Sequence, residues 1–336
     1  MSKISYLFKR VFHMDYGRLA RTVKATAEKA GRSRIYIAYD MFRCATKYMA
    51  APADYDLFEF YSLTPDQRET YVTRGINNLL VKKFNDRSLW HIFDNKDEFN
   101  TLFAKYIGRD WMKLEPDGFE RFADFIEGRT TVFYKPTSLS CGWGIEKIDL
   151  TSETDTRALF DRLIAKGGGL IEEQIRQHPE MDRMYSGSVN TIRLVTINDG
   201  ESVEIVFAFL RVGNGRIVDN LNSGGMAAPI DPQSGRVTHP AADKDYKAYD
   251  RHPATDTEFV GFEIPRFAEA VAMVKEAATV EPRMGYVGWD VAITPDGLCL
   301  VEANSYPGHD ILQLPPHVPE KIGLKPRIEK YINGRS

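Results

Sequence analysis

Apolar positions change their period along the chain. From Tyr16 to about Leu89 they recur at helical spacing, as at Leu19, Val23 and Ala27, and Thr64-Pro65-Asp66-Gln67 has the form of an N-cap with proline in the first turn. This first quarter reads as mainly helical. From Arg129 onward, short β-rich runs alternate with helices: strands over 131–135 and 145–150, a helix over 155–166 stopped by three glycines, then a strand over 170–175. Further strands are expected over 191–197, 203–212, 287–294 and 298–303, and Phe267, Val271, Val274 and Ala278 mark one apolar helix face between them. Too many strands follow one another directly for a purely wound βαβ sheet. The expected class is α+β, a sheet covered by helices and preceded by a helical lobe.

Composition narrows the partners. At 336 residues there is room for about two domains, and 43% hydrophobic with 27% charged residues is the balance of a folded globular protein, not of a disordered tail or an integral membrane protein. A net charge of −3 provides no field to recruit nucleic acid by counterion release. Cys44, Cys141 and Cys299 lie far apart and form no CxxC pair, which excludes a disulfide framework and a thiolate zinc site and fits a reducing compartment. Lys9 and Arg10 break the apolar stretch near the start, the longest apolar run elsewhere covers only 205–210, and a cytoplasmic location is expected. The charge is nonetheless uneven: residues 1–34 hold nine Lys or Arg against Asp15 and Glu28, a surplus of seven that leaves −10 for the remainder. A solvated helix face is one reading of this segment; peripheral contact with an anionic membrane surface is the other.

The segment VGWDVAITPDGLCLVEANSYPG carries the most chemistry. Pro295-Asp296-Gly297 is a turn signal between two alternating apolar runs, hence a β-hairpin. With the turn centred on Asp296, position 292 faces 300 and Asp290 faces Glu302, with Asn304 on the same face; Trp289, Val291, Ile293, Cys299, Val301 and Ala303 form the apolar reverse. Like charges directly opposed across strands are destabilising unless something compensates them. Two carboxylates and an amide are oxygen-only metal ligands, suited to magnesium or manganese (Mg2+ or Mn2+) rather than zinc. A solvated face, or a turn one residue out of register, is the competing reading.

A magnesium ion held by few protein ligands shares its shell with phosphate oxygens, so phosphate binders should be present. Lys135 ends a β-run and is followed by Pro136 and a small-residue loop with Ser138, Ser140, Gly142 and Gly144, whose N–H groups can approach phosphates; a plain turn between strands is the alternative. Asn95-Lys96 opens a helical pattern and offers either a second cation or a surface lysine. In SVNTIRLVTI, Arg193 shares a face with Thr191, Val195 and Ile197, where its fork suits a phosphate or carboxylate. Asn222, Gly224 and Gly225, just beyond Asp219, form a candidate backbone nest for an anion, or a hairpin turn. Glu172 and Glu173, between Ile171 and Ile175, suit a strand edge that hydrogen-bonds adenine through its backbone, or an ordinary edge strand. His178 and His309 read equally as core or surface histidines.

Taken in order, Lys96, Lys135 with its glycine loop, Glu172 to Ile175, Arg193, Asp290, and Glu302 with Asn304 resemble the ATP-grasp superfamily, the E-x-N pair after an acidic strand being the most specific part. APADYDLFEFYSLTPDQRETYV followed by NKDEF, together with NTIRLVT and DNLNSGGMAAPID, resembles more closely the sugar-transfer-associated subgroup, over about 40–313. The resemblance implies an ATP-grasp fold of two α+β lobes clasping ATP: a helical region over 1–90, a first lobe over 91–171, and a second lobe with the metal site over 172–336. The helical lead stands where typical members carry a leading α/β domain.

That resemblance also implies roles. Lys96 and Lys135 would hold the ATP phosphates beneath the 138–144 loop; Glu172, Glu173, Gln174 and Ile175 would hold adenine, with Gln177 or His178 near the ribose. Asp290, Glu302 and Asn304 would ligate one or two magnesium ions, and Arg193 would act with Lys135 on the transferring phosphoryl group. The implied activity is a carboxylate–amine ligase working through an acyl phosphate on small-molecule substrates, such as a uronic acid or amino acid destined for a surface polysaccharide. His309, Asp310 or Asp219 are candidates to take the amine's proton. A kinase that phosphorylates a hydroxyl, a non-catalytic nucleotide-binding protein, and a homodimeric assembly all stay open.

Overall fold

The capping chemistry of the first quarter forms as its sequence dictates. Asp15 starts helix α1 (Tyr16–Ala30) by accepting the Arg18 N–H at 2.9 Å, and Gly31 stops it in the left-handed conformation, φ 62°. Ser33 likewise caps α2 (Arg34–Lys47). The Thr64 hydroxyl accepts the Gln67 N–H at 3.3 Å while the Gln67 side chain accepts the Thr64 N–H at 2.9 Å, a reciprocal capping box. The structure, a computed structural model, describes residues 15–137, 144–153 and 155–333.

These residues fall into two units, one of 15–83 with 308–333 and one of 84–307. In the first, α1 and α2 bury Val23, Ala27, Ile37, Met41 and Cys44 against Tyr55, Phe58, Phe60 and Tyr71. The guanidinium of Arg68 donates to both oxygens of buried Asp40, at 3.0 and 2.8 Å, and Tyr55 donates to the same carboxylate at 2.9 Å, so this buried pair is fully satisfied. The C-terminal segment belongs to this unit: the Gln313 amide oxygen accepts the N–H groups of Val72 and Leu324, at 2.8 and 3.0 Å.

The second unit holds two antiparallel sheets. The smaller contains β1 (Trp111–Leu114), β2 (Thr131–Lys135), β3 (Glu146–Asp149) and β4 (Gly169–Glu173), in the order β1-β4-β2-β3. Helices Phe119–Ile126 and Thr156–Ala165 cover it, burying Phe122, Leu159, Phe160 and Leu163 on Val132, Tyr134 and Ile171. The larger contains β5 (Thr191–Asn198), β6 (Val203–Val212), β7 (Met226–Pro229), β8 (Ala241–Asp243), β9 (Ala248–Tyr249), β10 (Tyr286–Ile293) and β11 (Leu298–Asn304), ordered β11-β10-β5-β6-β7-β8-β9. Every residue of β10 is buried, and Trp289 donates its indole N–H to the Thr196 hydroxyl at 2.9 Å. Helix α3 (Phe267–Ala277) buries Phe267, Ala270, Val274 and Ala277, a face turned slightly from the expected one, with Val271 only half-buried. Among the described residues no helix is long and apolar enough to cross a membrane.

Candidate functional site

The hairpin of β10 and β11 forms where the turn signal sits, but its register is not uniform. Next to the turn, Ile293 pairs with Leu298, Ala292 with Cys299 and Val291 with Leu300; a bulge then absorbs Val301, and Asp290 pairs with Glu302, Trp289 with Ala303 and Gly288 with Asn304. A uniform register with 292 facing 300 is therefore corrected, because the Thr294–Gly297 turn is one residue tighter than a turn centred on Asp296. The bulge restores the opposition of the two carboxylates.

Around this pair sit two arginines. Arg193, on the facing position of β5, donates Nε and Nη2 to the two oxygens of Asp290, each at 2.5 Å, and its Nη2 lies 3.6 Å from Glu302. Arg211, at the far end of β6, hydrogen-bonds Asp290 through Nη1, reaches Asp219 at 3.0 Å and Asn220 at 2.6 Å through Nη2, and stands 3.9 Å from Glu302. Sequence reasoning passed over Arg211. The signal was present, since an arginine inside the continuous apolar strand VFAFLRV must find an anion when it is buried. Gly225 lets the 219–225 turn close, as a Cβ there would stand 2.2 Å from the Asp219 carbonyl oxygen.

These neighbours split the two carboxylates. Burial alone would raise Asp290, but the Arg193 and Arg211 charges bring its carboxyl down to about 2. Glu302 moves the other way: the surrounding protein and then the Asp290 charge push it above the ordinary carboxylate range, although its side chain is 47% exposed toward open space. Asn304 completes the face with a buried amide nitrogen that has no hydrogen-bond partner. Among the described residues no group of three His, Cys, Asp or Glu is placed to hold a metal ion by itself; the oxygen donors on this face are two carboxylates and the Asn304 amide. Two carboxylates and the Asn304 amide oxygen make an all-oxygen set that fits a hard divalent cation such as magnesium or manganese, while the unpartnered amide N–H group is a donor that suits an anion.

A second cluster forms on the smaller sheet. Glu172 is buried and accepts from Arg109 Nε at 2.8 Å and Lys135 Nζ at 2.6 Å. Burial opposes its charge, yet Arg109 and Lys135 hold it down to about 2. Lys96, half-buried at the start of helix Lys96–Leu102, has its ammonium pushed down, first by burial; Glu302, Lys135 and Glu172 all act on it electrostatically. Lys96 thus ties the two clusters into one electrostatic neighbourhood. Arg109 was not anticipated from the sequence, and its Nη2 is a buried donor without a partner.

Three expectations need correction. First, β4 is an interior strand, paired to β1 and β2, and the Glu173 N–H donates to the Asp110 carbonyl at 2.9 Å; Glu172 and Glu173 therefore do not form a strand edge, and half-buried Gln174 and Ile175 lie just past it. Second, the Asn222–Gly225 segment is not an open anion nest, because the N–H groups of Gly224 and Gly225 donate to Leu221 and Asn220 within the turn, each at 3.0 Å. What the turn delivers is Asp219 and Asn220 to Arg211. Third, the Gln177 amide is consumed by Tyr185, Ser188 and Asn190, a structural role, while His178 caps helix Pro179–Met184 by accepting the Glu180 N–H at 3.2 Å.

The remaining candidates are dispersed. Ser138, Ser140 and Gly142 lie outside the described residues; Gly144 is exposed at φ 74°. His309 pairs with Asp54 at 3.2 Å and Asp310 caps Ile311, both in the first unit, while Asp219 is buried and engaged by Thr191 and Arg211.

Comparison with known proteins decides the family. The model described as sugar-transfer associated ATP-grasp matches residues 76–332. The chain belongs to this family. Its fold is accordingly the α+β ATP-grasp fold, here with a helical N-terminal region. Similar solved structures include the ATP-grasp ligase PsnB complexed with minimal precursor, at 15% identity over 67% of this chain and 56% of that one, TM-score 0.39. D-alanyl-alanine synthetase A from Vibrio cholerae O1 is 12% identical over 72% of this chain and 64% of its own, TM-score 0.42. An ADP complex of PurK, an N5-carboxyaminoimidazole ribonucleotide synthetase, is 12% identical over 66% and 47%, TM-score 0.43. The chain spans about half to two-thirds of the length of these structures. No curated protein matches the sequence significantly.

Proposed function

We propose that this ATP-grasp protein is an ATP-dependent ligase that activates a small-molecule carboxylate as an acyl phosphate and joins it to an amine, releasing ADP and phosphate. The observation that carries the reading is the shared electrostatic neighbourhood of Lys96, Lys135, Glu172 and Glu302, with Arg193 and Arg211 on the same carboxylate pair as Glu302. Activation brings a carboxylate up to a polyanion. Cations must therefore be in place before the reaction, and pre-set charges in a dry site are the strongest way to provide them.

In the proposed sequence, a carboxylate oxygen attacks the γ-phosphorus, the bond to the bridging oxygen breaks, and ADP leaves with that electron pair. The amine nitrogen then attacks the acyl carbon, the carbon–oxygen bond to phosphate breaks, and phosphate departs with the amine's proton. Lys96 and Lys135 hold the phosphates, and Arg193 faces the transferring group. Glu172, fixed by Arg109, sets the position of Lys135. A magnesium or manganese ion held by Asp290, Glu302 and Asn304 would supply further positive charge at the phosphates. The family's association with sugar transfer supports a substrate from surface-polysaccharide synthesis. ADP release by the purified protein against pooled carboxylates and amines, with mass spectrometry of products, tests the reading; no magnesium-dependent product from any pool would defeat it.

A further inference from the structure

Helix α2 is apolar on both of its sides. Ile37, Met41 and Cys44 face the core of their unit, yet Ile35, Tyr39 and Phe42 are 84%, 61% and 64% exposed. At the helical repeat these three fall within about 60° of one another, on the pole opposite the buried face. A surface helix ordinarily carries charged and polar groups there, and a run of large apolar side chains at that pole marks an interaction surface.

Cations frame the stripe. Exposed Arg34 and Arg43 lie on the flanks of α2, Lys47 at its end, and Arg32 stands 5.7 Å from the ring of Tyr36. Residues 15–47 hold eight Lys or Arg against three Asp or Glu, a surplus of five in a chain whose remainder carries −8, and one of the three acids, Asp40, is buried under Arg68. We propose that the outer face of α2 docks the protein on an anionic lipid bilayer, with Ile35, Tyr39 and Phe42 entering the boundary between headgroups and acyl chains and the surrounding Arg and Lys meeting lipid phosphates. An interfacial helix needs this combination of an apolar stripe and a cationic border. A second copy docking through the same face would bring like charges together, and a nucleic acid would take the cations while leaving three large side chains in water.

Co-sedimentation of the full-length protein with vesicles tests this, using phosphatidylcholine alone and equal parts phosphatidylcholine and phosphatidylglycerol. The expected result is binding to the anionic vesicles only, weakened by salt, and reduced roughly tenfold or more by Tyr39→Ser with Phe42→Ser at an unchanged melting temperature. Should that double variant melt abnormally, Ile35→Ser, at the most exposed position, carries the same comparison. Equal binding to both vesicle types, or undiminished binding by the variants, overturns the proposal. So does a concentration-dependent dimer that the variants abolish while the wild type ignores vesicles.

Discussion

Arg193 and Asp290 stand opposite one another on adjacent strands, the guanidinium fork meeting both carboxylate oxygens at 2.5 Å. With Arg211 on its other side, Asp290 carries two guanidinium partners, whereas Glu302 hydrogen-bonds Asp290 and meets the same arginines at longer range, 3.6 and 3.9 Å. The two acids of the pair are thus chemically distinct. Asp290 meets both guanidinium groups directly, and Glu302, which they reach only at longer range, is the less compensated of the two carboxylates that face the cation position.

Glu302→Gln is therefore expected to lower magnesium-dependent ADP release by roughly a hundredfold or more, on the scale of losing one pre-set electrostatic group. The fold should be unaffected, since the change removes a repulsion with Asp290 at an exposed side chain. Turnover and melting temperature measured together check this, and undiminished turnover would remove the metal assignment.

Magnesium affinity should rise with pH. The Glu302 carboxyl binds its proton more tightly than an ordinary carboxyl, because the protein around it displaces water and then because of the Asp290 charge, and that proton must leave before the group can ligate. Calorimetric titration with magnesium across acidic to neutral pH should show proton release, which Glu302→Gln abolishes. A pH-independent affinity would contradict the assignment.

Glu172 contributes, with Asp290, to the acid limb of stability. Its folded carboxyl titrates at about 2 against an ordinary 4.5, so the unfolded chain binds more protons between these values. The contribution is complete above about 4.5 and is lost as pH falls toward 2, on the order of 3 kcal/mol in all. Urea unfolding at neutral and acidic pH should show a shallower acid limb for Glu172→Gln, together with lower stability at neutral pH because Arg109 loses its buried partner. Identical limbs would sink the prediction.

Removal of Arg211 leaves Asp290 and Asp219 buried with too little positive charge. Arg211→Met should cost about 3–5 kcal/mol in urea unfolding, and adding Asp219→Asn should recover part of it. Wild-type stability in the single variant would show that the network contributes nothing to the fold.

Hydroxylamine distinguishes ligation from phosphorylation of a hydroxyl. With ATP and a carboxylate substrate but no amine, a ligase yields a hydroxamate; a phosphate ester does not react. ADP release without hydroxamate would favour the kinase alternative.

Much of this molecule could be read from local chemistry. Turn residues, caps and periodicity place β2 to β6, β10, β11 and the helical first quarter, because these signals act between near neighbours in the chain, whereas β1 and the short β7, β8 and β9 carry no such signal. Asp290 and Glu302 could be paired on paper for the same reason: a short turn fixes which positions face one another, and the Val301 bulge corrected the intervening register without changing that pair. The partners of these groups could not. Arg211 reaches Asp290 from β6, two strands away from β10, Arg109 reaches Glu172 across a separation of 63 residues, and β4 becomes an interior strand only because β1 closes over it. Likewise Gln313 ties the C-terminal segment to Val72 across 241 residues. Charge compensation and backbone satisfaction depend on distance in space, so sequence supplied the groups that need partners, and the tertiary fold alone decided which partners they received.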